Sequence, residues 1–161
     1  VEAAFGGRAP KSRLFLSEAD LRRTYEEVLN YRSGDDVDMV YLGCPHLTIV
    51  DLMLIARRLD GRRVKVPLWI MTSPWMYRVC EDNGYLEIFE RAGACLMAGT
   101  CPAAFGGVPR GVHRLALDSA KQSYYITGHY PDDDDRLEIC YGTRDDCIDA
   151  ALSGRWTGEW K

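Results

Sequence analysis

Apolar positions along the chain fall into short runs, each closed by a small polar junction and followed by a segment with helical spacing. The first helical segment is SEADLRRTYEEVLNY at 17–31. Ser17 is a good N-cap, Glu18 and Asp20 suit the positive end of a helix dipole, and Leu21, Tyr25, Val28 and Leu29 recur at the helical period. VDMVYLG at 37–43 reads as a buried strand. After Cys44-Pro45-His46, Thr48 and Asp51 form the start of a second helix, which Gly61 stops. VKVPLWIMT at 64–72 is the next strand, although Pro67 argues against a fully central place in a sheet.

Ser73 and Pro74 are an N-cap and a first-turn proline, and they open a helix through about Asn83. YLEIFERAGA predicts a further short helix, and CLMAG at 95–99 a third strand. HRLALD runs into a helix capped by Ser119, and LEICYG runs into a helix that starts after Thr143. Strand, junction, helix, repeated, predicts an α/β fold: a mostly parallel sheet with covering helices in three layers. Right-handed crossovers then bring all the strand-to-helix junctions to one edge of the sheet, where open α/β domains build their sites.

Length and composition narrow the class without changing that outline. The 161 residues suffice for one domain with a real core. Residues 14–161 are expected to form it, with 1–13 as a linker or joint to a preceding part, since VEAAFGGRAPKSR carries neither an initiating methionine nor a signal-peptide pattern. A net charge of −4 argues against a nucleic-acid surface. The one dense basic cluster, RRLDGRRVK at 57–65, falls at a predicted helix end, where cations suit the dipole. No run reaches the length of a membrane span, and the acidic PDDDD at 131–135 reads as a solvated loop.

Six cysteines in a chain able to bury a core do not make a disulfide scaffold, and there is no CxxC or HExxH. The expected setting is cytoplasmic, with thiols reduced. Cys80, Cys95, Cys140 and Cys147 fall inside predicted elements and read as small buried hydrophobes. Cys44 and Cys101 differ, because each follows an apolar strand, precedes proline and sits in a glycine-containing loop. On pattern alone the metal-ligand reading and the small buried hydrophobe stand level, with a switchable disulfide pair as a further alternative. Lys121, on the first turn of the helix capped by Ser119, opposes the dipole unless an anion binds there. His46 reads equally as a donor to substrate or as a turn residue bonded to backbone. His113 and His129 have no supporting context.

Together the segments LGCPHLTIVDLMLIARRLDGRRV, WIMTS, AGACLMAGTCP and DSAKQSYY, in this order and spacing, resemble the catalytic part of the aconitase X family. The closing GTRDDCIDAALSGRW resembles that family's C-terminal end, so the likeness runs from Leu14 to Trp156. One departure is Gly99, where the family pattern carries an acidic residue before the Thr-Cys pair. The resemblance implies a hydro-lyase with an aconitase-like domain and an iron–sulfur cluster held by three cysteines. It matches Cys44 and Cys101 to two of these, with the third in a part of the protein outside this chain, and it matches Lys121 to a substrate-binding lysine. Ser119 and His46 complete the expected substrate-binding set.

The family's base is a serine on a separate swivelling domain or small subunit, a role given neither to Ser73 nor to Ser119. The isolated chain is therefore expected to be inactive, with an exposed apolar face where the missing half docks. Among family activities, dehydration of cis-3-hydroxy-L-proline ranks first on the arginine-rich composition and dehydration of phosphomevalonate second. A non-catalytic binding or assembly module with the same fold is the remaining alternative.

Overall fold

A computed structural model of the protein describes residues 2–30, 32–104, 106–128 and 137–160. His129 and the acidic run at 131–135 lie outside these residues. In chain order the elements are α1 (Glu2–Phe5), α2 (Glu18–Arg23), a π-helical turn (Thr24–Leu29), β1 (Met39–Leu47), α3 (Ile49–Leu59), β2 (Leu68–Thr72), α4 (Pro74–Asp82) and α5 (Tyr85–Ala92). They continue with β3 (Ala94–Ala98), a 3-10 turn (Pro102–Ala104), β4 (Arg114–Leu117), α6 (Ala120–Thr127), β5 (Glu138–Tyr141) and α7 (Arg144–Ser153). The five strands form one all-parallel sheet in the order β3-β2-β1-β4-β5.

Local chemistry explains most of the boundaries. Thr48 and Thr143 each form a complete capping box, with Asp51 and Asp146 respectively, and Ser17 does the same with Asp20. Ser73 caps α4 with Pro74 at its first turn. Gly93, at φ +82°, ends α5, so the helix expected over 85–94 stops at Ala92 and β3 starts at Ala94. Pro67 precedes β2 rather than interrupting it, and its carbonyl accepts from the Val40 amide at 2.9 Å. β2 can therefore lie inside the sheet between β3 and β1.

Alternation along the strands divides the core into two faces. Val40, Leu42, Leu68, Ile70, Leu96, Ala116 and Cys140 meet α3, α4, α5 and α7 on the first. Leu52, Ile55, Ala56 and Leu59 give α3 a fully buried stripe, each Leu or Ile contributing about 1.5–3 kcal/mol on removal from water. The second face, built on Met39, Tyr41, Met71, Leu115, Leu117 and Ile139, is covered by Ile126 of α6 and by Val108 and Val112 of the β3–β4 connection. Its cover runs out toward β3, where Trp69 and Met97 are half-buried and Cys95 is exposed. Cys95, expected as a small buried residue, thus faces outward from an edge strand.

The N-terminal elements depart furthest from expectation. After Arg23 the backbone widens into a π turn, with the Asn30 amide donating to Tyr25 O at 2.9 Å. Leu21 and Val28 stay 54% and 62% exposed, so no helical stripe is buried. The segment docks instead through Tyr25, edge-on to Tyr141 at 5.7 Å, and through Asn30, whose amide brackets the Tyr141 backbone at 2.8 and 3.0 Å. Leu14, Phe15 and Leu16 are 90%, 89% and 79% exposed, which gives the chain an open apolar surface.

Candidate functional site

Sheet order fixes where a site can form. Consecutive crossovers carry the chain outward from β1 to β2 and β3, and the next crossover returns it to β4 on the other flank of β1. The C-terminal ends of β1 and β4 therefore bound the switch-point crevice of an open parallel sheet. Cys44 follows Tyr41 by three residues, Lys121 follows Leu117 by four, and Tyr41 and Leu117 are direct ladder partners. Both functional candidates thus emerge at neighbouring strand ends.

The Cys44 loop protrudes because the ladder breaks there. Leu42 pairs with Ile70 and Leu47 with Thr72, so β1 takes five residue steps (47 − 42) where β2 takes two (72 − 70). The surplus, Gly43 to His46, rises from the sheet, and Thr72 Oγ1 closes its base by donating to Leu47 O at 2.8 Å. Gly43 sits at φ +116°, and a Cβ on it would lie 2.3 Å from the Met71 carbonyl oxygen. Only glycine lets the strand turn outward this close to β2. The Cys44–Pro45 peptide is cis.

Cys101 arrives from the other side of the sheet. It lies just beyond β3, after Gly99, whose positive φ of +63° bends the chain and whose amide donates to Thr72 O at 2.9 Å. Glycine suits the positive φ of this turn. His46 Nε2 lies 2.9 Å from Thr100 O. A carbonyl can only accept, so Nε2 carries the proton and donates. This bond joins the residue two positions after Cys44 to the residue immediately before Cys101. The structure therefore realises the backbone-bonded form of His46, and in doing so brings the two cysteine loops together. Cys44 and Cys101 are both half-buried and free of disulfides.

The remaining cysteines separate by environment. Burial pushes the Cys80 thiol up to about 11, Cys140 to about 12 and Cys147 well above the ordinary thiol range. A metal-binding sulfur must be deprotonated, and these three are held as thiols by the core. Cys44 and Cys101 are the pair at the strand-end edge. Among the described residues no group of three or more His, Cys, Asp or Glu could hold a metal ion. Cys44 and Cys101 are two sulfur donors that could hold part of a thiolate-bound centre.

Ser119 is buried and caps α6, its Oγ accepting from the Gln122 amide at 3.2 Å. Lys121, exposed on the same first turn, lies over Tyr125 with Nζ 5.8 Å from the ring centroid. Gln122 is 1% exposed, and neither its amide nitrogen nor its oxygen meets a partner among the described residues. At the back of the crevice Arg144 reaches Asp51 at 2.5 Å and Asp118 at 3.2 Å. Burial raises the Asp118 carboxyl above its ordinary value despite that cation. Asp51 is also opposed by burial, but hydrogen bonds from Thr48 and Arg144 hold it below the usual range. A cleft of about 430 Å³ opens beside Asp118 and Arg144, with Tyr25, Tyr141 and Trp160 among its walls. Sequence reading passed over Arg144, whose only local signal is a cation on the unfavourable end of a capped helix.

Residues 37–153 match the family described as the aconitase X third domain. The chain belongs to the aconitase X family. It is 31% identical over 159 residues, 96% of its length, to the cis-3-hydroxy-L-proline dehydratase of Pseudomonas aeruginosa. It is 24% identical over 143 residues, 89% of its length, to the phosphomevalonate dehydratase large subunit of Methanocaldococcus jannaschii. It spans 26% and 33% of those relatives, so about a quarter to a third of the curated proteins it matches. The crystal structure of holo-form aconitase X from Thermococcus kodakaraensis shares its fold, with a TM-score of 0.63 at 23% identity over 90% of this chain and 36% of that one. The three-layer α/β architecture of this aconitase X chain is thus that of a solved relative. No helix among the described residues is long and apolar enough to cross a membrane.

Proposed function

We propose that this chain supplies part of the active site of an iron–sulfur hydro-lyase that removes water from a small hydroxy acid. The observation that carries the proposal is the meeting of the Cys44 and Cys101 loops, joined by the His46–Thr100 bond, at the strand-end crevice of an aconitase X domain. Cys44 and Cys101 act as two thiolate ligands, and the third ligand of a three-cysteine site comes from elsewhere in the protein. A cluster held by Cys44, Cys101 and a third ligand would, when bound, supply Lewis-acid chemistry for a hydroxyl that otherwise leaves poorly.

The chain's own residues bind and orient. Lys121, at the start of α6, holds the substrate's carboxylate or phosphate, where the amides organised by Ser119 add to its charge. With Nε2 committed to Thr100 O, Nδ1 is the His46 atom left to meet a substrate. The proton beside the carboxylate goes to a base outside this chain, which makes the isolated 161 residues inactive.

Cis-3-hydroxy-L-proline is the substrate of first choice, supported by the 31% identity over nearly the whole chain to a dehydratase of that name. Phosphomevalonate is the second reading, supported by the match to the archaeal large subunit. The complete protein, reconstituted anaerobically with iron and sulfide, is expected to dehydrate the first in a chromatographic assay. Turnover of phosphomevalonate alone would move the assignment to the second reading, and turnover of neither would contradict both.

A further inference from the structure

Arg144 opens α7, where a cation opposes the helix dipole. Its guanidinium is one-third exposed and spends its donors on two carboxylates from different elements. Nη1 donates to Asp51 Oδ1 at 2.5 Å, while Asp51 Oδ2 accepts from the Thr48 amide at 2.9 Å and from Thr48 Oγ1 at 2.7 Å. Thr48 ends the loop that carries Cys44 and His46. On the other side Nε donates to Asp118 Oδ2 at 3.2 Å, and Asp118 directly precedes the Ser119 cap of the helix that carries Lys121.

We propose that Arg144 is a positioning residue that sets the Cys44 loop and the Lys121 helix start at a fixed separation across the switch-point crevice. Neither helix needs it to form. α3 has its capping box and a buried stripe of Leu52, Ile55, Ala56 and Leu59, while α6 has its serine cap and buried Ile126. What Arg144 adds is a bridge, one charge-assisted hydrogen bond to each of two carboxylates, between loops whose strands are last paired at Tyr41 and Leu117. Without it, Asp51 and Asp118 would face each other uncompensated and repel. The functional consequence rests on the dehydratase reading, since the separation matters for catalysis only if metal ligand and anion-binding lysine share one substrate. Displacement of about 1 Å between such groups costs up to a hundredfold.

The test uses the complete protein, reconstituted with iron and sulfide, as wild type, Arg144→Met, Arg144→Lys and Asp118→Asn. Hydrogen exchange is read by mass spectrometry alongside kcat and KM. In Arg144→Met, exchange is expected to rise in both 44–51 and 118–123 and to stay unchanged in β2 and β3, with KM raised about tenfold, and Arg144→Lys should restore part of each. Asp118→Asn should loosen 118–123 alone. A uniform rise across the sheet, unchanged exchange in both loops, or loosened loops with an unchanged KM would each overturn the positioning role. If wild type dehydrates neither hydroxy acid, the dehydratase reading and the catalytic consequence fall together. The exchange pattern then still decides whether Arg144 is the bridge.

Discussion

The two edges of the sheet use polar side chains in opposite ways. At the N-terminal edge the groups fasten strands to one another. Arg114 pairs with Glu138 at 2.5 Å and donates to Asp36 O at 2.8 Å, while Asp38 Oδ2 accepts from the amides of His113 and Arg114 at 2.9 and 2.8 Å. At the C-terminal edge the residues with reactive chemistry are presented instead of consumed. The Cys44 and Cys101 thiols are free, Lys121 is exposed, and the polar bonds there (His46 to Thr100, Thr72 to Leu47, Arg144 to its two carboxylates) hold loops in place around them. One edge ties strands together, and at the other the polar bonds tie loops around half-buried cysteines and an exposed lysine.

That contrast can be broken most sharply at the cysteines. In the complete protein, Cys44→Ser or Cys101→Ser is expected to lower dehydratase turnover on the order of a thousandfold, the several kcal/mol that a Lewis acid supplies, with stability changed by less than about 1 kcal/mol. A comparable loss of stability would place these residues with the fastening groups. Gly43→Ala tests the point where both roles meet. Its Cβ would lie 2.3 Å from the Met71 carbonyl at a φ of +116°, so chemical denaturation should show a loss of about 3 kcal/mol, with turnover falling as the Cys44 loop shifts.

The N-terminal edge gives the smallest effect and a different signature. Glu138→Gln removes a charge-assisted pair whose side chains are 17% and 20% exposed, and it should cost about 1–2 kcal/mol while leaving turnover intact. Burial opposes the Glu138 carboxylate, but hydrogen bonds from Ser33 and Arg114 prevail and depress its pKa. The unfolded chain then takes up the proton first. This share of stability is present above the ordinary Glu value of about 4.3 and is lost as pH falls through the folded value. Urea melts between pH 3 and 7 should show the variant's deficit shrinking toward the acid end.

Much of this was legible along the chain because the signals are local. Thr48 with Asp51, Thr143 with Asp146, and Ser73 with Pro74 sit within four residues and set helix starts without reference to the rest of the molecule. The glycine before Cys44 and the proline after it mark an interrupted strand end, which the ladder break confirms. Pairings across long separations leave no such trace. Arg144 and Asp51 are 93 positions apart, and His46 and Thr100 are 54 apart. Leu21, Tyr25, Val28 and Leu29 keep a helical period that a π turn then breaks, and the period says nothing of whether a partner surface exists. Cys95 reads as buried because it falls inside a predicted strand, yet on the edge strand β3 it is exposed.

Cys44 and Cys101 are proposed to hold a metal centre together. That proposal is tested most directly by iron and sulfide content and the EPR spectrum of the anaerobically reconstituted complete protein, compared with its Cys101→Ser and Cys140→Ser variants. The account predicts a cluster in wild type and in Cys140→Ser, and its loss in Cys101→Ser. A cluster retained at wild-type stoichiometry and with an unchanged spectrum in Cys101→Ser would contradict it.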